Sequence, residues 1–222
     1  MRMLFRYILR VVLPMIALSL NVSCSTDEQE PLEYRADIVT FVGNETGGAS
    51  FGRIEQNSET VTKLMARGVR VDTTRVTAGS RVLMVYEEAS ELSEPLSVNI
   101  LSLQLIVTGE VRVADDMAGW NSDAVYMLSM WRTGGYLNLE CRVENSEEKR
   151  NFCVVADPAT VSNAVPDLYV VHDMGEHTAS YMRRIYASWD ISEVWNRRSC
   201  RGVRVHINDS NRGINEMTFT KD

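Results

Sequence analysis

Three observations predict an all-β fold for this 222-residue chain. From Tyr34 onward the apolar residues come in short runs or alternate with polar ones, the two patterns of fully and half-buried strands. Gly, Asn, Asp or Ser interrupts these runs every 8 to 15 residues, and stretches with the length and period of a long helix are scarce. The composition, 45% hydrophobic, 24% charged and 8% aromatic, is that of a globular protein and sets aside disorder and multi-span membrane architectures.

The first element is not part of the fold. Arg2, Arg6 and Arg10 precede a short apolar run from Val11 to Leu20, the charged and hydrophobic regions of a secretory signal, too short for a membrane-spanning helix. Small residues then lead into Cys24, and Val22-Ser23-Cys24 resembles a bacterial lipobox, with Asn21 where Leu is usual. Cleavage after residue 23 would leave Cys24 to be lipidated. Residues 24–33 form an acidic, polar tether, which resembles the surface-export signal of Bacteroidota lipoproteins and reads equally well as a merely soluble linker. The expected location is the outer membrane, lipid-anchored on its periplasmic or cell-surface face. The mature chain has 20 basic and 30 acidic residues, a net charge of −10 that argues against nucleic acid as a partner.

In the first half, strands are expected at Asp37–Val42, Gly68–Asp72, Arg81–Glu87 and Leu96–Val113, with Thr60–Ala66 a strand or a helical turn. The unbroken apolar run Val82–Tyr86 after the Gly79-Ser80 turn suggests a strand covered on both faces. Leu96–Val113 changes parity between Ile100 and Leu101, so a bulge or bend near Ile100 is expected. Strongly bent strands of this kind fit a small OB-like Greek-key barrel over residues 34–113, or one layer of a larger sandwich.

The polar, Gly-containing stretch Ala114–Asp123 is the expected boundary to a second domain, residues 114–222, read as a β-sandwich. Its strands are expected at Tyr126–Trp131, Tyr136–Val143, Phe152–Val155, Asp167–Val171, Val203–Ile207 and Glu216–Phe219. Thr178–Trp195 is ambiguous; the reading favoured is a strand followed by a helical turn at Ser192–Asn196, with Ser192 as its cap.

Taken in order, Gly79–Tyr86, Gly135–Glu140 with Phe152–Val155, Tyr186–Ser192 and Val203–Asn208 resemble the NigD-like lipoproteins of Bacteroidales. The resemblance implies an N-terminal OB-like domain and a C-terminal β-sandwich. Bacteriocin immunity is the role it suggests, and it carries over no catalytic residues.

Chemistry-bearing residues are few. Cys141 and Cys153 would face each other across a hairpin whose turn centres on Glu147, giving a disulfide or else two buried thiols. His172 and His177 flank a Gly-containing turn, but their spacing suits neither a helical pair nor a zinc finger, so no metal is expected. His206 falls at the polar parity of its strand. Asp115, Asp116 and Asp123 offer carboxylates in a polar loop without a calcium-loop pattern. All four tryptophans, Trp120, Trp131, Trp189 and Trp195, lie in the second half and could line a glycan or protein surface or fill the sandwich core. The expected function is a non-enzymatic envelope module, without cofactor, that binds a protein or glycan. A lipid-anchored hydrolase using surface carboxylates or a metal is the alternative.

Overall fold

The computed structural model describes residues 34–89, 93–120, 122–145, 151–175 and 181–221. The signal segment, the tether, Cys24 and His177 lie outside these residues. The described residues from Tyr34 onward belong to one compact unit.

Its first part is a barrel of five strands, β1 (Tyr34–Glu45), β2 (Gly48–Ile54), β3 (Val61–Arg67), β4 (Arg81–Glu88) and β5 (Leu96–Leu105). The barrel closes in the order β1-β2-β3-β5-β4, with β3 and β5 parallel and the other neighbours antiparallel. Val39, Phe41, Phe51, Leu64, Met84 and Tyr86 fill its interior. β2 escapes the sequence reading because two glycines and a serine dilute its apolar pattern. Gly48 is there for space: a Cβ would overlap the carbonyl oxygen of Ala66 on the adjoining strand. Gly68–Asp72, expected as a strand, is loop instead. Gly68, with φ 70°, takes the chain out of β3, and Val69 and Val71 alternate without pairing.

The expected bend in Leu96–Val113 is a bulge at Leu101: Val85 pairs with Ser102 and Tyr86 with Ile100, which leaves Leu101 between them. The remainder of that segment is corrected. β6 (Val107–Glu110) and β7 (Arg112–Val113) leave the barrel and pair in parallel with Ala187–Asp190 and Val155–Ala156 of the second part, so the change of body falls at Ile106 and not at Val113. The Ala114–Asp123 loop lies inside the second part, where Ala114, Met117 and Trp120 pack with Val155 and Val171.

That second part has two sheets. One, in the order β6-β12-β9-β8, contains β8 (Tyr126–Thr133), β9 (Tyr136–Glu144) and β12 (Met182–Asp190). The other, in the order β14-β13-β11-β10-β7, contains β10 (Asn151–Ala156), β11 (Asp167–Asp173), β13 (Gly202–His206) and β14 (Glu216–Thr220). Leu137, Leu139, Val154, Leu168, Trp189 and Val203 belong to the core between them. A short helix, α1 (Ser192–Trp195), follows β12. Ser192 is its first residue and not its cap; Ile191 holds the cap position without a side-chain cap bond, and the Asp190 carboxylate accepts the Ser192 N–H at 2.8 Å.

β9 and β10 are not a hairpin. They lie in different sheets. Cys141 is paired with Met127 and Ile185, Cys153 with Val171, and both thiols are free. Of the two alternatives the disulfide is therefore the one not formed. Burial pushes the Cys141 thiol up to about 12, as for an inert core sulfur.

Candidate binding surfaces

β9 alternates between two different environments. Leu137, Leu139 and Cys141 face the sandwich core, while Asn138 points the other way and is still fully buried, because the barrel covers that face. A polar residue buried there needs partners. Arg81, the first residue of β4, supplies them. Its guanidinium donates to Ser188 Oγ at 3.1 Å, to Thr133 Oγ1 and Asn138 Oδ1 at 3.3 Å each, and to Thr40 Oγ1 at 3.0 Å, and it lies 4.3 Å from the ring centroid of Tyr136. Ser188 donates to Asn138 at 2.8 Å, which closes the network. Burial lowers the Arg81 pKa to about 10, opposed by the charges of Tyr136 and Asp190, so the cation persists at neutral pH.

A second clamp lies nearby. Arg132 donates from Nη1 to Glu59 and to the Gly134 carbonyl, both at 2.6 Å, with its guanidinium 4.2 Å from the Trp195 ring centroid. Asn57 and Ser58 of the β2–β3 loop exchange backbone hydrogen bonds with Arg132 near the end of β8 and Gly134 of the β8–β9 turn. At Gly135 in that turn a Cβ would meet the Ser192 hydroxyl, which would have to rotate away. Both clamps hold barrel and sandwich together. At one end of the barrel, Tyr86 donates to Asp37 at 2.7 Å and accepts from Arg53 at 2.7 Å, and burial holds its hydroxyl well above the ordinary phenol range.

The carboxylates and histidines singled out in the sequence serve local structure. Asp116 accepts the Ala118 N–H at 2.8 Å, as an Asx turn, and Asp115 is exposed. Asp123 and His172 do come together, through their main chains: the Asp123 N–H donates to the His172 carbonyl at 2.8 Å, and His172 Nδ1 is 3.3 Å from the Asp123 carbonyl oxygen. The Asp123 carboxylate accepts the Met174 N–H at 2.7 Å. His172 is buried against Phe152, ring centroids 5.1 Å apart. Among the described residues no three His, Cys, Asp or Glu side chains are grouped to hold a metal. His206 is half-buried, stacked on Tyr169 at 4.4 Å with Nε2 2.8 Å from Asp167.

The tryptophans divide. Trp189 and Trp195 are buried and belong to the sandwich core, which removes them from any surface. Trp120 is half-buried against the core and donates to the Asp116 carbonyl at 3.2 Å. Trp131 lines a cleft of about 270 Å³ between barrel and sandwich, with Asp37, Glu55 and Glu140 on its walls.

A larger groove of about 530 Å³ is cut into the barrel, between the loop after β3 and the strand β5. Val71, Val76, Val82, Ile100 and Leu103 make an apolar floor continuous with the barrel core. Arg70, Arg75 and Asp72 stand at its edge. The Asp72 carboxylate is occupied by the Thr74 hydroxyl and N–H, at 2.7 and 3.0 Å, which hold its pKa down. Sequence reading missed this surface because the Val69/Val71 alternation suggested a strand.

Residues 107–221 match the NigD-like C-terminal beta sandwich domain. Among solved structures, the chain is similar to a protein of unknown function from Bacteroides vulgatus (TM-score 0.66, 15% identity, covering 86% of this chain and 90% of that one). It is similar also to a NigD-like immunity protein from Bacteroides caccae (TM-score 0.60, 21% identity, 85% and 97% covered). A lipoprotein candidate from Bacteroides fragilis aligns with a TM-score of 0.55 at 12% identity, over 84% of this chain and 96% of that one. A search of curated proteins finds no match. These identities speak for the fold alone. The matched sandwich spans more than half of the sequence, and by it the chain belongs to the NigD-like family.

Proposed function

We propose that the protein is a lipid-anchored envelope module that binds a partner without turning it over, in the manner of an immunity protein, and that the barrel groove is its binding face. The strand order 1-2-3-5-4 suits an OB-like reading of the barrel, a fold that works through surfaces and loops. The observation that carries the proposal is the groove itself: a preformed concave surface with an apolar floor, on a body whose internal joints are locked by Arg81 and Arg132. The hydrolase alternative draws no support from Asp116, Asp123 and His172, which are engaged in local structure. Lipidation at Cys24 and an outer-membrane location rest on the lipobox-like leader. No helix of the described residues is long and apolar enough to cross a membrane, which leaves the anchor as the proposed attachment.

The full chain, expressed in a Bacteroidota host, carries a photocrosslinking residue at exposed Gln104 in the groove, or at exposed Thr218 on β14 as control. A discrete adduct in the membrane fraction is expected for Gln104 and not for Thr218, and it disappears with Cys24→Ala. Equal labelling at both positions, or membrane retention of the Cys24→Ala chain, overturns the reading.

A further inference from the structure

The groove has a wall of unusual kind. β3 and β5 are in register only at Leu64/Leu96 and Met65/Ser97; β3 then ends at Arg67 and Gly68 turns the chain away. β5 runs on to Leu105, paired with β4 along one edge. Along its other edge, beyond Ser97, no strand of the described residues pairs with it. Leu103, Gln104 and Leu105, three successive residues, all line the groove. Successive side chains point to opposite faces of a strand, so a cavity touching three in a row runs along the strand's edge and not over one face.

An open strand edge presents N–H and C=O groups at the spacing another strand requires. The surroundings define what kind of strand. The floor is apolar, Leu101 and Leu105 are exposed on β5, and Arg70 and Arg75 make no hydrogen bond or close ion pair among the described residues; the one carboxylate beside them, Asp72, feels the Arg75 charge and leaves two cations against one anion at the edge. In a chain with an excess of acidic residues, two such arginines above an apolar channel favour an anionic occupant.

We infer that the groove takes an extended acidic polypeptide segment from another protein, which adds as a strand to the open edge of β5 from Asn99 to Leu105. Its apolar side chains enter the floor at every second position and its carboxylates meet Arg70 and Arg75. This rests on the groove being the binding face and goes beyond it by naming the partner's chemistry and the mode of attachment.

The probe is a blocked octapeptide of alternating Glu and Val. Its Lys/Val counterpart and a version N-methylated at alternate amides serve as controls, all titrated against the full-length protein by fluorescence anisotropy. The Glu/Val peptide is expected to bind, the other two to fail, and Arg70→Glu with Arg75→Glu to weaken binding about tenfold. Both arginines are exposed, so this variant keeps its fold. Amide exchange read by NMR should show new protection at alternate residues on either side of the Leu101 bulge, between Asn99 and Leu105. Binding without that alternating protection overturns strand addition, and equal binding of the Lys/Val peptide overturns the acidic assignment. A concentration-dependent dimer that the peptide cannot dissociate would assign the edge to a second copy of the chain and overturns a foreign partner. A crosslink from Gln104 in cells together with no peptide binding sinks this inference and leaves the binding-module reading standing.

Discussion

At the scale of single residues, the strongest structural demand falls on Arg81. Four neutral acceptors on two bodies depend on one guanidinium, and truncating it leaves buried hydroxyl and amide groups without partners. Arg81→Met should cost about 3 kcal/mol in urea denaturation. Arg81→Lys should recover less than half, because an ammonium cannot fan out to the same acceptors. Cys141 gives a prediction with a sign. Its folded pKa of about 12 lies above the ordinary thiol value of 9.0, so the stability it contributes is complete below pH 9.0 and is lost as pH rises toward about 12. Between about pH 8 and about pH 10.5 the unfolding free energy should drop by about 2 kcal/mol, and Cys141→Ala should flatten the decline. Little of this was legible beforehand. A lone arginine at the head of an apolar strand resembles any surface cation, and the symmetric spacing of Cys141 and Cys153 fits a hairpin as well as a crossover. Spacing along the chain does not say which sheet receives the next strand.

Whole elements were easier to read where side chains alone set the pattern. β4, β8, β9, β11 and β13 announce themselves by runs of branched and aromatic residues flanked by turns. β2 does not, because its glycines answer a requirement of the neighbouring strand, which sequence periodicity cannot register. Gly48→Ala tests that account. The new methyl meets backbone, which cannot rotate aside, so the β2–β3 pairing must shift, at about 1–3 kcal/mol in thermal or urea unfolding. Gly47→Ala is the useful contrast: nothing lies within 4 Å of its Cβ, and its cost should come only from the positive φ of 98°. A loss at Gly48 no larger than that at Gly47 would remove the close-approach argument.

For the whole molecule, the sequence conveyed two bodies but placed their border too late, at a change of polarity. The true change of partner comes at Ile106, where apolar character continues without a break. The seam between the bodies is closed by Arg81 and by Arg132 with Glu59, so barrel and sandwich should unfold together. Calorimetry of the soluble chain should show one transition with equal calorimetric and van't Hoff enthalpies. Two resolved transitions would mean that the clamps do not couple the bodies. Arg81→Met is the variant in which a second transition should first emerge.

The double burial of β9 also bears on how freely the sequence can drift. An ordinary surface strand such as β14, whose residues alternate between exposed and half-buried, offers every second position to chance substitution. β9 has no such positions from Leu137 to Leu139: the odd residues answer to the sandwich and the even one to the barrel. A saturation library selected for folded protein should therefore show a two-residue rhythm of tolerance along Glu216–Thr220 and an uninterrupted band of intolerance at the start of β9. Among descendants of this chain, change should gather on β14 long before it reaches that wall.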